Sequence, residues 1–155
     1  MDNYSLSVFA DYNQIFVNDR SKVELYFPVW SEMDYFAMLH NDANGVVIST
    51  LRNMEVEVFI NVCAERPGMS NADWDQVVES YLFLPTGKLV VSGTTDFLQD
   101  SFQLDVPIGG YHMLVCFSGL NSISENGLDG NDQYHVFLWK GERLIENVIH
   151  KHRSA

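Results

Sequence analysis

Apolar and polar positions alternate with a period of two over much of the chain. From Met54 the apolar residues fall at Met54, Val56, Val58, Ile60 and Val62, with Glu55, Glu57 and Asn61 between them. Phe102, Leu104 and Val106 repeat the rhythm against Ser101, Gln103 and Asp105. Successive side chains of a strand point to opposite faces, so this alternation predicts half-buried strands. Further strand-like runs lie at Leu6–Ala10, Ile15–Val17, Val23–Phe27, Val46–Thr50, Val77–Leu84, Leu89–Ser92, Tyr111–Phe117 and Gln133–Trp139. Asn44-Gly45, Pro85-Thr86-Gly87-Lys88 and Gly109-Gly110 punctuate them as turns. The pattern predicts an all-β fold, an antiparallel β-sandwich of about ten short strands with one or two short helical turns.

The strongest local signal is Tyr81–Leu84, then Pro85-Thr86-Gly87-Lys88, then Leu89–Val91, which predicts an antiparallel hairpin. Ser31 is positioned to cap a short helix through Glu32, Asp34, Tyr35, Phe36 and Met38, ending near Asn41 to Gly45, and a second helical turn is expected over Asn71 to Gln76. Two strands, Tyr111–Phe117 and Tyr134–Trp139, are apolar on both faces. Their second face requires a cover, expected from within the chain. With no internal repeat, linker or break in composition, one domain is expected: a sandwich over residues 1–139 and a basic C-terminal tail over 140–155. The tail carries Leu144, Ile145, Val148 and Ile149, a spacing open to either a helix or an edge strand.

Charge changes the picture more than composition does. The 155 residues hold 21 acids against nine Lys and Arg, a formal net charge of −12. No Lys or Arg occurs between Lys88 and Lys140, where Asp96, Asp100, Asp105, Glu125, Asp129 and Asp132 all fall. Such a body repels nucleic acid phosphates and anionic membrane and attracts cationic partners. No apolar stretch reaches the roughly 18 residues of a spanning helix, and the N-terminus lacks the basic-then-apolar pattern of a secretory signal. A cytoplasmic protein is expected, with Cys63 and Cys116 as buried free thiols.

Patterns for chemistry are sparse. There is no G-x-S-x-G, S-x-x-K, H-E-x-x-H or C-x-x-C, and Gly109-Gly110 lacks the downstream glycine of a dinucleotide loop. His150-x-His152 reads as part of the tail, and His112 and His135 as packed strand residues. No cofactor and no metal is expected. The segment Gly127–Tyr134 resembles one unit of a calcium-binding β-roll, but a single unit cannot surround the ion with 6 to 8 oxygens. Its loop, Asn121 to Gln133, carries three acids and no base. Long loops on rigid sandwiches are common recognition sites. Glu125, Asp129 and Asp132 are therefore the first candidate partner-binding cluster, and Asp73, Trp74 and Asp75 the second.

The run Gly45-Val46-Val47-Ile48-Ser49-Thr50-Leu51-Arg52-Asn53 before the Val56–Val62 alternation, with the later Phe102-x-Leu104-Asp105-Val106-Pro107-Ile108-Gly109-Gly110-Tyr111, resembles the competence protein J family, bacterial inhibitors of a DNA-entry nuclease. Trp30 and the strand Gln133–Leu138 fit as well, so the resemblance covers about residues 5–139, with no counterpart for the tail. It implies a non-enzymatic inhibitor or immunity protein that blocks a positively charged nuclease or nuclease-type toxin, an anionic surface substituting for nucleic acid. Two alternatives stand beside it. One is a sandwich that binds a small molecule, such as a sugar, or calcium between the Asn121–Gln133 loop and neighbouring turns. The other is a hydrolase with a strongly perturbed carboxylate in a closed pocket. The oligomeric state is not legible in the residues.

Overall fold

The computed structural model describes residues 2–24 and 26–153. Among these, eleven strands form: β1 (Asp2–Phe9), β2 (Gln14–Asp19), β3 (Leu39–Asp42), β4 (Gly45–Ser49), β5 (Glu55–Val62), β6 (Gln76–Leu84), β7 (Lys88–Gly93), β8 (Phe102–Asp105), β9 (Gly109–Ser118), β10 (Gln133–Lys140) and β11 (Val148–Lys151). They build a six-stranded sheet, β1-β5-β10-β9-β6-β11, against a five-stranded one, β3-β4-β2-β7-β8. Every pairing is antiparallel except β5 with β10, which run parallel. No helix among the described residues is long and apolar enough to cross a membrane.

The period-two pattern becomes the core. Val56, Val58 and Ile60 of β5 point inward, where they join Ile15, Val17, Val46, Ile48, Leu89, Val91, Val115 and Val136, while Glu55 and Glu57 stay exposed. The outer faces of β9 and β10 bury a second cluster: Cys63, Val77, Leu114, Cys116, Phe137 and Trp139. The loop between β5 and β6 covers it with Met69 and Trp74, so the cover comes from within the chain. Both cysteines are free, and burial pushes the Cys116 thiol up to about 12.

Several local expectations change in three dimensions. The turn at Pro85–Lys88 forms, but its flanks do not pair. β6 hydrogen-bonds β9 and β11, whereas β7 hydrogen-bonds β2 and β8, so the segment is a corner from one sheet to the other. Pro and Gly dictate a reversal of direction, not a partner, and two runs that are both largely buried are each drawn to the middle of a sheet. Asp19 secures the corner by accepting from the backbone N–H and Oγ1 of Thr86. A Cβ on Gly87 would stand 2.3 Å from the Val106 carbonyl oxygen, and its φ is +70°, so glycine is required there.

Among the described residues of 23–27 no strand forms. Val23, Glu24, Tyr26 and Phe27 run irregularly, and Leu25 lies outside the described residues. β3, not anticipated because Leu39 is its single apolar residue, takes the sheet edge instead. The tail resolves as an edge strand, β11.

The helix α1 (Glu32–Ala37) has the expected cap: Ser31 Oγ accepts from the Asp34 N–H, and the Asp34 carboxylate accepts from the Ser31 N–H. It stops earlier than expected because Met38 turns left-handed, φ 58°. Just beyond, both ring nitrogens of His40 meet carboxylates, Asp34 at 2.8 Å and Asp42 at 2.8 Å. Burial alone would lower the His40 pKa, but the two carboxylates outweigh it and raise it. The contribution to stability is therefore complete below the ordinary value of 6.5 and fades as pH climbs through the raised folded value. His40→Ala is expected to cost about 1 kcal/mol at pH 6 and clearly less at pH 9, measured by thermal unfolding at each pH.

Candidate functional site

At one end of the sandwich β1 and β9 finish and β5, β6 and β10 begin. In the facing sheet β2 begins there and β4 and β7 finish. Hydrogen bonds fasten the loops of this end to one another. Ala10 N donates to Met54 O at 3.0 Å, Thr50 N donates to Asn13 O at 3.0 Å, and Thr94 Oγ1 donates to Asp11 O at 3.0 Å. Leu120 N donates to Asp75 Oδ2 at 2.9 Å. Five loops, 10–13, 50–54, 70–75, 94–101 and 119–132, thus share a single surface.

Its centre is a buried ion pair. Arg52 Nε donates to Asp132 Oδ1 at 2.6 Å and Arg52 Nη1 to Leu128 O at 3.2 Å. Tyr134 Oη donates to Asp132 Oδ2 at 2.7 Å and accepts from Leu51 N at 3.0 Å. The Asp132 side chain is wholly buried. Burial first, and then the bond to Asp132, push the Tyr134 hydroxyl far above its usual range, so it stays protonated and donating. Asp132 was expected at the contact surface. The structure places it beneath that surface instead, holding the 119–132 loop to the 50–54 loop.

The other expected residues divide. Glu125 and Asp129 are exposed on the long loop, and Asp73 is exposed on its own 3-10 turn. Asp75 is half-buried and occupied with Leu120. Trp74 is half-buried, with its ring centroid 4.8 Å from that of His135 and 6.4 Å from that of Phe137. The two clusters, distant in sequence, meet through the Asp75–Leu120 bond. Around them stand acids not singled out as contacts from the sequence: Asp11, Glu55, Asp96 and Asp100. The only Arg or Lys in the five loops is Arg52, already paired. Lys151 reaches the carbonyl of Asn71, and Arg153 N reaches Gln76 Oε1. Among the described residues neither cation forms an ion pair with these acids. Lys22, Lys88, Lys140 and Arg143 belong to the opposite end, beside the 84–88 corner and the 140–147 strap.

That far end also contains a hollow of about 690 Å³, lined by Lys22, Asn41, Tyr81, Arg143 and Asn147 among others. In the alternative reading a small-molecule site lies at the Asn121–Gln133 loop, and this hollow does not adjoin that loop. The loop closes on itself: Ser124 Oγ donates to Asn126 Oδ1, which also accepts from Leu128 N. Among the described residues no three His, Cys, Asp or Glu side chains gather as metal ligands.

The most perturbed carboxylate is Glu79, on the outer face of β6. Arg66 Nη1 lies at 2.7 Å, His112 Nδ1 at 2.7 Å and His150 Nε2 at 2.9 Å. Burial would raise its pKa, but these donors hold it at about 2. A carboxylate so firmly ionised is a poor general base at neutral pH, and it serves to tie β11 and the Arg66 loop to the sheet. Its stabilisation is complete above the ordinary 4.5 and is lost as pH falls toward 2. The wild type is expected to lose about 2–3 kcal/mol over that interval in urea titrations, and Glu79→Gln to flatten the fall.

No protein-family profile and no curated protein matches the sequence. Two solved structures share the fold. The crystal structure of ComJ from Bacillus subtilis, inhibitor of the DNA degrading activity of NucA, superposes with a TM-score of 0.67 at 12% identity, over 91% of this chain and 96% of that one. The product of crocagin biosynthetic gene J superposes with a TM-score of 0.60 at 19% identity, over 92% and 100%. The ComJ-like sandwich is therefore the fold of this chain.

Proposed function

We propose that this protein is a non-enzymatic inhibitor that binds a nuclease, or a nuclease-type toxin, through the acidic end of its sandwich. The observation that carries the reading is the five-loop surface whose single arginine is already paired, presented on the fold that ComJ uses. A nuclease cleft is shaped to hold phosphates and is strongly positive, so carboxylates on a rigid frame can occupy it in place of DNA. The loops are bonded to one another before any partner arrives, and little ordering cost remains for binding. Asp73, Glu125 and Asp129 accelerate encounter, while Asp132, Asp75 and Trp74 hold their loops in place from below. In this reading the protein works in the bacterial cytoplasm and protects the cell's own DNA. It takes part as a binding partner, with no catalytic group and no cofactor.

The test is cleavage of supercoiled plasmid by the nucleases and nuclease-type toxins of the same organism. Adding this protein in equimolar amount is expected to abolish nicking at low salt, with an association rate that declines as salt rises. Undiminished cleavage at saturating protein removes the proposal.

A further inference from the structure

Residues 23–37 contain no Lys or Arg, and they present a row of large apolar side chains to solvent. Phe27 is 60% exposed, Met33 64%, Tyr35 67% and Val29 90%. Exposed apolar groups on a soluble body need no explanation singly, but a continuous series marks a contact surface. These side chains are not on a loose loop. Tyr26 sits against Phe16 at 5.7 Å between ring centroids, and its hydroxyl reaches Asp42. Trp30 packs on Tyr35 at 5.5 Å, and α1 is closed at its start by the capping box. One end of the row touches the β1–β2 loop, where Tyr12 meets Phe27 edge-on at 5.8 Å. Tyr12 and Asn13 both hold positive φ, 59° and 60°, a conformation that non-glycine residues adopt at a cost and that aims the Tyr12 ring outward. The other end meets the first residue of β6, directly after the 70–75 loop, because Gln76 Nε2 donates to the carbonyls of Phe36 and Ala37. The aromatic row is thus continuous with the acidic end.

We propose that this row, with the carboxylates beside it, forms a site for arginine side chains on the face of the bound nuclease. This deepens the inhibitor reading and rests on it. A guanidinium differs from an ammonium in being planar and weakly hydrated, so it stacks on an aromatic ring while its N–H groups meet a carboxylate. Exposed Tyr12, Phe27 and Tyr35 each lie within three residues of an acid, Asp11, Glu24 and Glu32 respectively, and so supply both halves of that recognition.

The experiment compares binding of a nona-arginine and a nona-lysine peptide to the full chain by calorimetry at moderate salt. Wild type is expected to bind the arginine peptide about fivefold more tightly. Phe27→Ala with Tyr35→Ala is expected to erase the preference and leave lysine-peptide binding unchanged, with the thermal midpoint checked for folding. Glu125→Lys with Asp129→Lys, a folding-neutral surface change, is expected to weaken both peptides equally. Equal affinity of wild type for the two peptides, or a preference that survives the aromatic substitutions, overturns the inference. The plasmid assay is read separately. Full inhibition with no arginine preference removes this inference alone, whereas an arginine preference with no inhibition removes the nuclease as the partner.

Discussion

Asp132→Ala is expected to destabilise the protein by about 3–5 kcal/mol, because it leaves the Arg52 guanidinium buried without its counter-charge and the Tyr134 hydroxyl without its acceptor. Few single changes in this chain remove so much at once. The pair links residues 80 apart in sequence, so its loss also frees the 119–132 loop from the 50–54 loop. Inhibition should weaken together with stability, although Asp132 itself is shielded from any partner. Urea unfolding measures the first effect, and a loss below about 1 kcal/mol contradicts the buried-pair account. Replacing both partners, Arg52→Met with Asp132→Leu, is expected to recover most of the stability, since neither charge is then stranded.

Reversing the exposed charges is expected to have the opposite signature. Asp73→Lys, Glu125→Lys and Asp129→Lys together should leave the unfolding free energy within about 1 kcal/mol of wild type, because none of the three makes an ion pair among the described residues. Association with the nuclease should slow by about 10- to 1,000-fold at low salt, and the gap should narrow as salt screens the field. Stopped-flow association at two ionic strengths reads this directly. Glu142→Lys with Glu146→Lys, at the other end of the sandwich, is the control. Similar slowing there would show that net charge matters and the acidic end does not.

Much of the sandwich is legible along the chain, since alternation in Glu55–Val62 and the double-faced runs of Tyr111–Phe117 and Tyr134–Trp139 follow from which side chains must leave water. The cap at Ser31 is equally legible, because a capping box is local. What escapes is non-local. The reversal at Pro85–Lys88 is readable, but the choice of β9 over β7 as the partner of β6 is set by the whole sheet. β3 is obscured because His40, Asn41 and Asp42 interrupt any apolar rhythm. At the candidate site Glu125, Asp129 and Asp73 are found from acidity and loop length alone. The role of Arg52 emerges only when residue 132 lies beside it, although the Arg52-Asn53 pair already figured in the likeness to competence protein J. The stretch Val23–Phe27 misled because aromatic residues that signal a strand also suit an exposed contact, and only the fold tells the two apart.

The parallel ladder between β5 and β10 has a consequence for biosynthesis. Residues 57–62 must wait for residues 133–138 before their second edge is paired, so a growing chain cannot complete its larger sheet until these later residues have been translated. Maturation should be slow for a body of this size. A polypeptide broken off before residue 133 would present bare, aggregation-prone strand edges instead of a weakened form of the sandwich, making the fold an all-or-nothing product of synthesis through β10.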